Sequence, residues 1–229
     1  MLERIIEEAP AFFGYYNVVF LLEALLATFL LSVIGCLVGF LAGFAMAAVR
    51  RSGGRALAPA RWLILAYVEV FRRIPFLVTL LLCFFLFEVL KLGLTTFQVA
   101  VVAVCLIASA YIAEIVRGGL DSVHHNQWDA AATLNFTYWE TLRWVVVPQA
   151  WRVILPPVFS FFVLFIKDTA LASQIGVVEL TYAGKVLNNK GFSAALVFGS
   201  ILILYFALSW PLARAGSWME KKLAPSRHR

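Results

Sequence analysis

Apolar runs of about 20 residues, the length a helix needs to cross a bilayer, recur along the chain and are separated by short polar stretches. Five can be drawn, over 18–49, 62–90, 97–116, 153–175 and 194–212. With 62% of its 229 residues hydrophobic and only 14% charged, the chain lies outside the balance of a soluble domain. These features predict an all-α integral membrane protein, residues 1–229 forming one membrane domain with no room for a sizeable soluble one. No internal repeat or low-complexity segment interrupts it.

Charge sets the expected orientation. Arg50, Arg51, Arg55 and Arg61 follow the first run, and Arg214, Lys221, Lys222, Arg227 and Arg229 follow the last. The positive-inside rule assigns both groups to the cytoplasm. Arg117, Arg143 and Arg152 do the same for the polar stretch between the third and fourth runs. The N-terminus, with Glu3, Glu7 and Glu8 against Arg4, lacks the charge of a signal peptide and is expected to be retained outside. The formal charge of +6 gathers at span ends instead of forming a basic stripe with interleaved aromatics, so nucleic acid is not an expected partner. Cys36, Cys83 and Cys105 fall inside apolar runs without a C-x-x-C, which indicates packing residues and no metal site. Gly35, Gly39 and Gly43 line one helix face that another backbone can approach closely.

The polar stretch over about 121–150 reads as two capped helices. Asn126 is expected to cap the first and to put Asp129 at its third position. Asn135, the non-glycine residue that best tolerates a left-handed turn, should end it. Thr137 and Glu140 form a T-x-x-E capping box for the second, and Pro148 should stop it. Such a pair serves either as an amphipathic surface hairpin or as a docking element.

Ionisable residues within membrane runs are costly enough to mark candidate functional positions. Glu69 precedes Arg72 and Arg73 at pairing distance, and Pro75 can bend the helix, so Arg72 and Pro75 suit a gate as well as arginines reaching toward headgroups. Glu114 and Arg117 can neutralise each other on one face, or Glu114 can face substrate or an interface. Lys167, Asp168 and Thr169 lie deep in the fourth run, and as neighbours Lys167 and Asp168 point about 100° apart. They fit a polar network locking a dimer or a substrate path. Glu179, in the stretch before the last run, suits solvation or contact with an external protein.

Several of these segments resemble the permease subunits of ATP-binding-cassette importers. Asp129-Ala130-Ala131, Asn135 and Val145-Val146-Val147-Pro148 keep the spacing of the family's E-A-A-x3-G-x9-I-x-L-P loop, with Asp for Glu and Asn for Gly. Ala110 to Gly119, AYIAEIVRGG, is similar to A-Y-x-A-E-I-V-R-G-G of the polar amino-acid permeases. Lys167 to Ser173 resembles their K-D-T-S-L-A-S, with Ala170 for serine. Phe71, Arg72 and Pro75 keep part of their F-R-G-T-P, from which Arg73 and Ile74 depart.

The resemblance implies a type I importer permease with five transmembrane helices and a cytoplasmic coupling loop. Asp129, Ala130, Ala131 and Asn135 would dock an ATPase dimer, and Lys167, Asp168, Thr169 and Glu114 would lie along the path of an amino-acid substrate. A second permease chain, identical or paralogous, and an external solute-binding protein complete the expected assembly. No G-x-x-x-x-G-K-[ST] occurs in the chain, so ATP and Mg²⁺ are expected on the partner ATPase and no cofactor on this chain. The alternatives are a passive channel for polar solutes, which has no use for the loop, and an intramembrane enzyme. For the enzyme, His124, His125 and His228 all lie outside the runs, where they build neither a metal helix nor a buried Ser-His pair.

Overall fold

The computed structural model describes residues 2–223; Arg227, His228 and Arg229 lie outside them. Among the described residues all regular structure is helical: α1 (Leu2–Phe12), α2 (Tyr15–Arg51), α3 (Ala58–Arg73), α4 (Phe76–Val89), α5 (Thr96–Asp121), α6 (His125–Thr133), α7 (Tyr138–Thr141), α8 (Val147–Asp168), α9 (Leu180–Asn189) and α10 (Ala194–Leu223). Four continuous segments, Tyr15–Arg51, Thr96–Asp121, Tyr138–Ile175 and Ala194–Leu223, are long and apolar enough to cross a membrane. The pair Arg55–Arg73 and Phe76–Val89 is that apolar only taken together, and is bent by 111° between its halves.

The break falls at Pro75, where the second span drawn over 62–90 was expected to bend. The residue before a proline is pushed out of the helical region, and Ile74 is extended at φ −86, ψ 135, so α3 stops at Arg73. Pro148 shows the opposite outcome, since it does not stop a helix. The backbone widens into a π-helical turn over Leu142–Val146, with the Val147 amide donating to the Leu142 carbonyl, and α8 runs on through Pro148. The wider turn relieves the clash between a proline ring and the carbonyl four residues earlier.

Contacts divide the chain into two compact units, and α2, α5, α8 and α10 each contribute residues to both. The first unit comprises the described residues up to Ile34, Phe76–Val104 and Val163–Pro211. Its core joins Phe12 of α1, Leu21 and Ala24 of α2, Leu180, Ala183 and Leu187 of α9, and Val197 and Ile201 of α10. Thr28 Oγ1 accepts from the Leu180 amide at 3.2 Å, and α4 packs on a 3₁₀ turn over Thr169–Ile175, which Gly176 ends at φ 83.

The second unit comprises Gly35–Pro75, Cys105–Phe162 and the described residues from Leu212 on. Here the expected small-residue face is used. A Cβ at Gly39 would lie 2.7 Å from the Ala108 Cβ and one at Gly43 2.7 Å from the Ala113 amide, so α2 and α5 meet backbone to backbone. Tyr67 of α3 donates to the Leu106 carbonyl of α5 at 2.8 Å. Tyr111 of α5 donates to the Arg72 carbonyl at 3.2 Å, which satisfies one of the carbonyls freed where α3 ends. Cys36 here and Cys83 in the first unit are buried free thiols.

Candidate functional site

The second unit holds the loop pair. His124, not Asn126, caps α6: its backbone is extended and its Nδ1 accepts from the Asn126 amide at 3.3 Å. Asp129 is consequently the fifth residue of α6, beyond the first turn where its carboxylate was expected. An imidazole nitrogen is an unusual cap acceptor, which is why the more common Asn drew the assignment. The turn itself is as expected. Asn135 is left-handed at φ 58, its amide donates to the Ala132 carbonyl at 3.0 Å, and the Phe136 amide donates to the Ala131 carbonyl at 3.1 Å. These two bonds make a Schellman ending. Glu140 accepts from the Thr137 amide at 2.8 Å, and Thr137 Oγ1 accepts from the Glu140 amide at 3.4 Å, completing the capping box.

Asp129 and Ala130 are exposed, whereas Ala131 is 3% exposed and packs inward. Around the turn Leu134 is 69% exposed, and Phe136, Trp139 and Trp144 also face outward. The inner side is aromatic. Trp128 stacks on Tyr138 with centroids 6.0 Å apart, and the Tyr138 hydroxyl donates to the Ala48 carbonyl at 2.6 Å.

Beside this pair lies a cluster of four arginines and two carboxylates. Glu114 accepts from Arg117 Nε at 3.0 Å and Arg50 at 3.2 Å, and Arg72 approaches to 3.8 Å. Arg117 also donates to Asp121 at 2.5 Å, and Arg51 donates to the other oxygen of Asp121. The Glu114–Arg117 pairing expected from their spacing is present, but Arg50 and Arg72 join it from other helices. A carboxylate held by three guanidiniums is neutralised, and the cluster as a whole is cationic. Glu69 bonds Arg73 at 2.6 Å, which leaves Arg72 to Glu114.

In the first unit Lys167 is exposed, Asp168 half-buried and Thr169 buried. Thr169 Oγ1 donates to its own helix at the Ile166 carbonyl, 2.7 Å away. Asp168 ends α8 with no side-chain cap bond and no ion-pair partner among the described residues. Its carboxylate feels the charge of the neighbouring Lys167. Thr79 Oγ1, buried on α4, has no hydrogen-bond partner. Lys185 of α9 reaches Ser173 Oγ at 3.1 Å.

Glu179 is neither solvated nor exposed for an external protein: it is 0% exposed. It caps α9 by accepting from the Thr181 and Tyr182 amides at 2.9 and 2.8 Å, and it also accepts from the Tyr205 hydroxyl at 2.8 Å. Among the described residues no group of His, Cys, Asp and Glu forms a metal site.

Long apolar helices and a capped helix pair with an exposed apolar tip are the features set against known proteins. Residues 35–223 match the family described as binding-protein-dependent transport system inner membrane component. The chain belongs to that family, among the ABC-importer permeases of the polar amino-acid uptake type. It is 32% identical to a probable amino-acid ABC transporter permease protein of Bacillus subtilis (strain 168), over 86% of both chains. It is 33% identical to the glutamine transport system permease protein of Escherichia coli (strain K12), over 82% of this chain and 84% of that one. A crystal structure of an amino acid ABC transporter with histidines superposes at a TM-score of 0.81 with 27% identity, covering 90% of this chain and 95% of that one. The methionine ABC transporter in an inward-facing conformation shares the fold at a TM-score of 0.78 and 21% identity, over 93% and 100% of the two chains.

Proposed function

We propose that two permease chains of this kind enclose the path of an amino-acid importer, and that ATP is hydrolysed by a separate ATPase pair docked beneath them. The observation that carries this reading is the α6–α7 pair, two capped helices turned at Asn135 with Leu134 and Phe136 presented outward. An apolar tip rimmed by polar residues suits a protein partner. The chain has no phosphate-binding loop of its own, so ATP and Mg²⁺ belong to that partner. Asp129, Ala130 and Asn135 lie on the docking surface, and Ala131 supports it from within.

The N-terminus lies outside and the C-terminus in the cytoplasm, as the arginine and lysine placement supports. A solute-binding protein delivers an amino acid from outside. Asp168, which makes no ion pair among the described residues and has Thr169 beside it, receives the ammonium end, and Lys167 lies on the same segment. Glu114 acts as the counter-ion of Arg50, Arg72 and Arg117. The break at Pro75, with Arg72 just before it, is the natural place for a gate. ATP binding draws the ATPases together, moves the α6–α7 pair, and shifts the spans between inward-open and outward-open states.

Copurification tests the reading. The ATPase should come down with the wild-type chain and be lost from Leu134→Asp, which puts a charge on the apolar tip without touching the core. Equal recovery of the ATPase with both would overturn it.

A further inference from the structure

We infer that Arg51 is the positioning residue that ties the docking pair to the Glu114 cluster, so that movement of the pair is transmitted to the membrane charges. The inference rests on the docking reading above. Arg51 ends α2, and its guanidinium has two engagements at once. Its Nη1 donates to Asp121 at the end of α5, and its Cζ lies over the Trp128 ring of α6, 4.5 Å from the centroid.

From Trp128 the contact continues to Tyr138 of α7, whose hydroxyl returns to Ala48, on the same helix as Arg51. From Asp121 it continues through Arg117 to Glu114, which Arg50 and Arg72 share. Both helices of the docking pair are thus clasped to α2, and the only charged member of the clasp is also bonded to the cluster. Shifting α6 without breaking the Arg51–Trp128 contact moves Arg51 and with it Asp121. Arginine suits both tasks because it is planar: N–H groups at its rim pair with a carboxylate while its face covers an indole. Lysine keeps the charge and loses the face.

Adjacency is not coupling, so the test is a double-mutant cycle in the complete transporter, reconstituted with its ATPase and binding protein. Uptake per ATP hydrolysed is measured alongside ATPase copurification. Arg51→Gln and Trp128→Leu should each lower uptake per ATP roughly fivefold or more, the scale of a modest coupling energy. The double variant should be no worse than the worse single one, and Arg51→Lys should fall between wild type and Arg51→Gln. The ATPase should still copurify with Arg51→Gln.

Wild-type uptake per ATP in Arg51→Gln, or additive losses in the double variant, would overturn the inference. If Arg51→Gln fails to fold, Trp128→Phe and Trp128→Leu decide instead. Phe keeps an aromatic face and should retain coupling that Leu loses, and equal behaviour of the two would overturn the inference. Should Leu134→Asp leave the ATPase bound, the docking reading fails whatever Arg51 does. Should it release the ATPase while Arg51→Gln couples normally, only the present inference fails.

Discussion

Glu8 accepts from the Ser193 amide at 2.6 Å and from Arg4, and these donors, the amide first, hold its carboxyl below the ordinary carboxylate value. Glu179 is shifted the other way, because its burial outweighs the amide and tyrosine donors around it. A lowered native value stabilises the fold above the ordinary value, and that stabilisation is lost as pH falls through the native value. A raised native value does the reverse: its contribution is full below the ordinary value and disappears as pH rises through the native one. Thermal unfolding of the solubilised protein as a function of pH should separate them. Glu8→Gln should flatten the fall in melting temperature below about pH 5, and Glu179→Gln should flatten the fall on the neutral side. Identical pH profiles for wild type and both variants would contradict these assignments.

At the scale of elements, the α6–α7 junction depends on one left-handed residue. Asn135→Gly should leave the melting temperature unchanged or raise it, because glycine takes φ 58 without a Cβ penalty. Asn135→Val should lower stability by about 1–2 kcal/mol, the cost of the left-handed region for an ordinary residue. Equal melting of the two variants would mean the turn does not hold its form. This junction was legible in the sequence because its determinants act locally: Asn135 before Thr137 and Glu140 specifies its own turn and cap. The α3–α4 break was legible in position, from Pro75, but not in angle, because packing of each half sets the angle. His124 as a cap and the π turn before Pro148 were not legible. The cap uses an uncommon acceptor, and the turn absorbs a proline that local rules read as a stop.

For the whole molecule, the spans were readable because each carries its apolar signal within itself. The site was readable only where its partners are close in sequence, as with Glu114 and Arg117. Arg50 and Arg72 reach Glu114 from 64 and 42 residues away, and Tyr205 reaches Glu179 across 26. No local pattern announces such meetings, and Glu179 therefore looked like a solvated loop acid. The Asp168 carboxylate carries the prediction for transport as a whole. Asp168→Asn should lower uptake by roughly tenfold, the loss expected when a charged hydrogen bond to an ammonium becomes a neutral one. The ATPase should still copurify, since nothing at the docking pair changes. Unaltered uptake kinetics in reconstituted vesicles would remove Asp168 from the substrate path.

The π turn over Leu142–Val146 also sets an angular phase. It winds one more residue into a turn than an α-helix does, so what precedes it is offset by about 100° around the axis from where a regular helix would put it. The direction in which the Leu134 tip points is therefore fixed by five residues that need not touch any partner. A sequence that closed this turn to α-helix would aim an otherwise intact α6–α7 tip elsewhere around the axis.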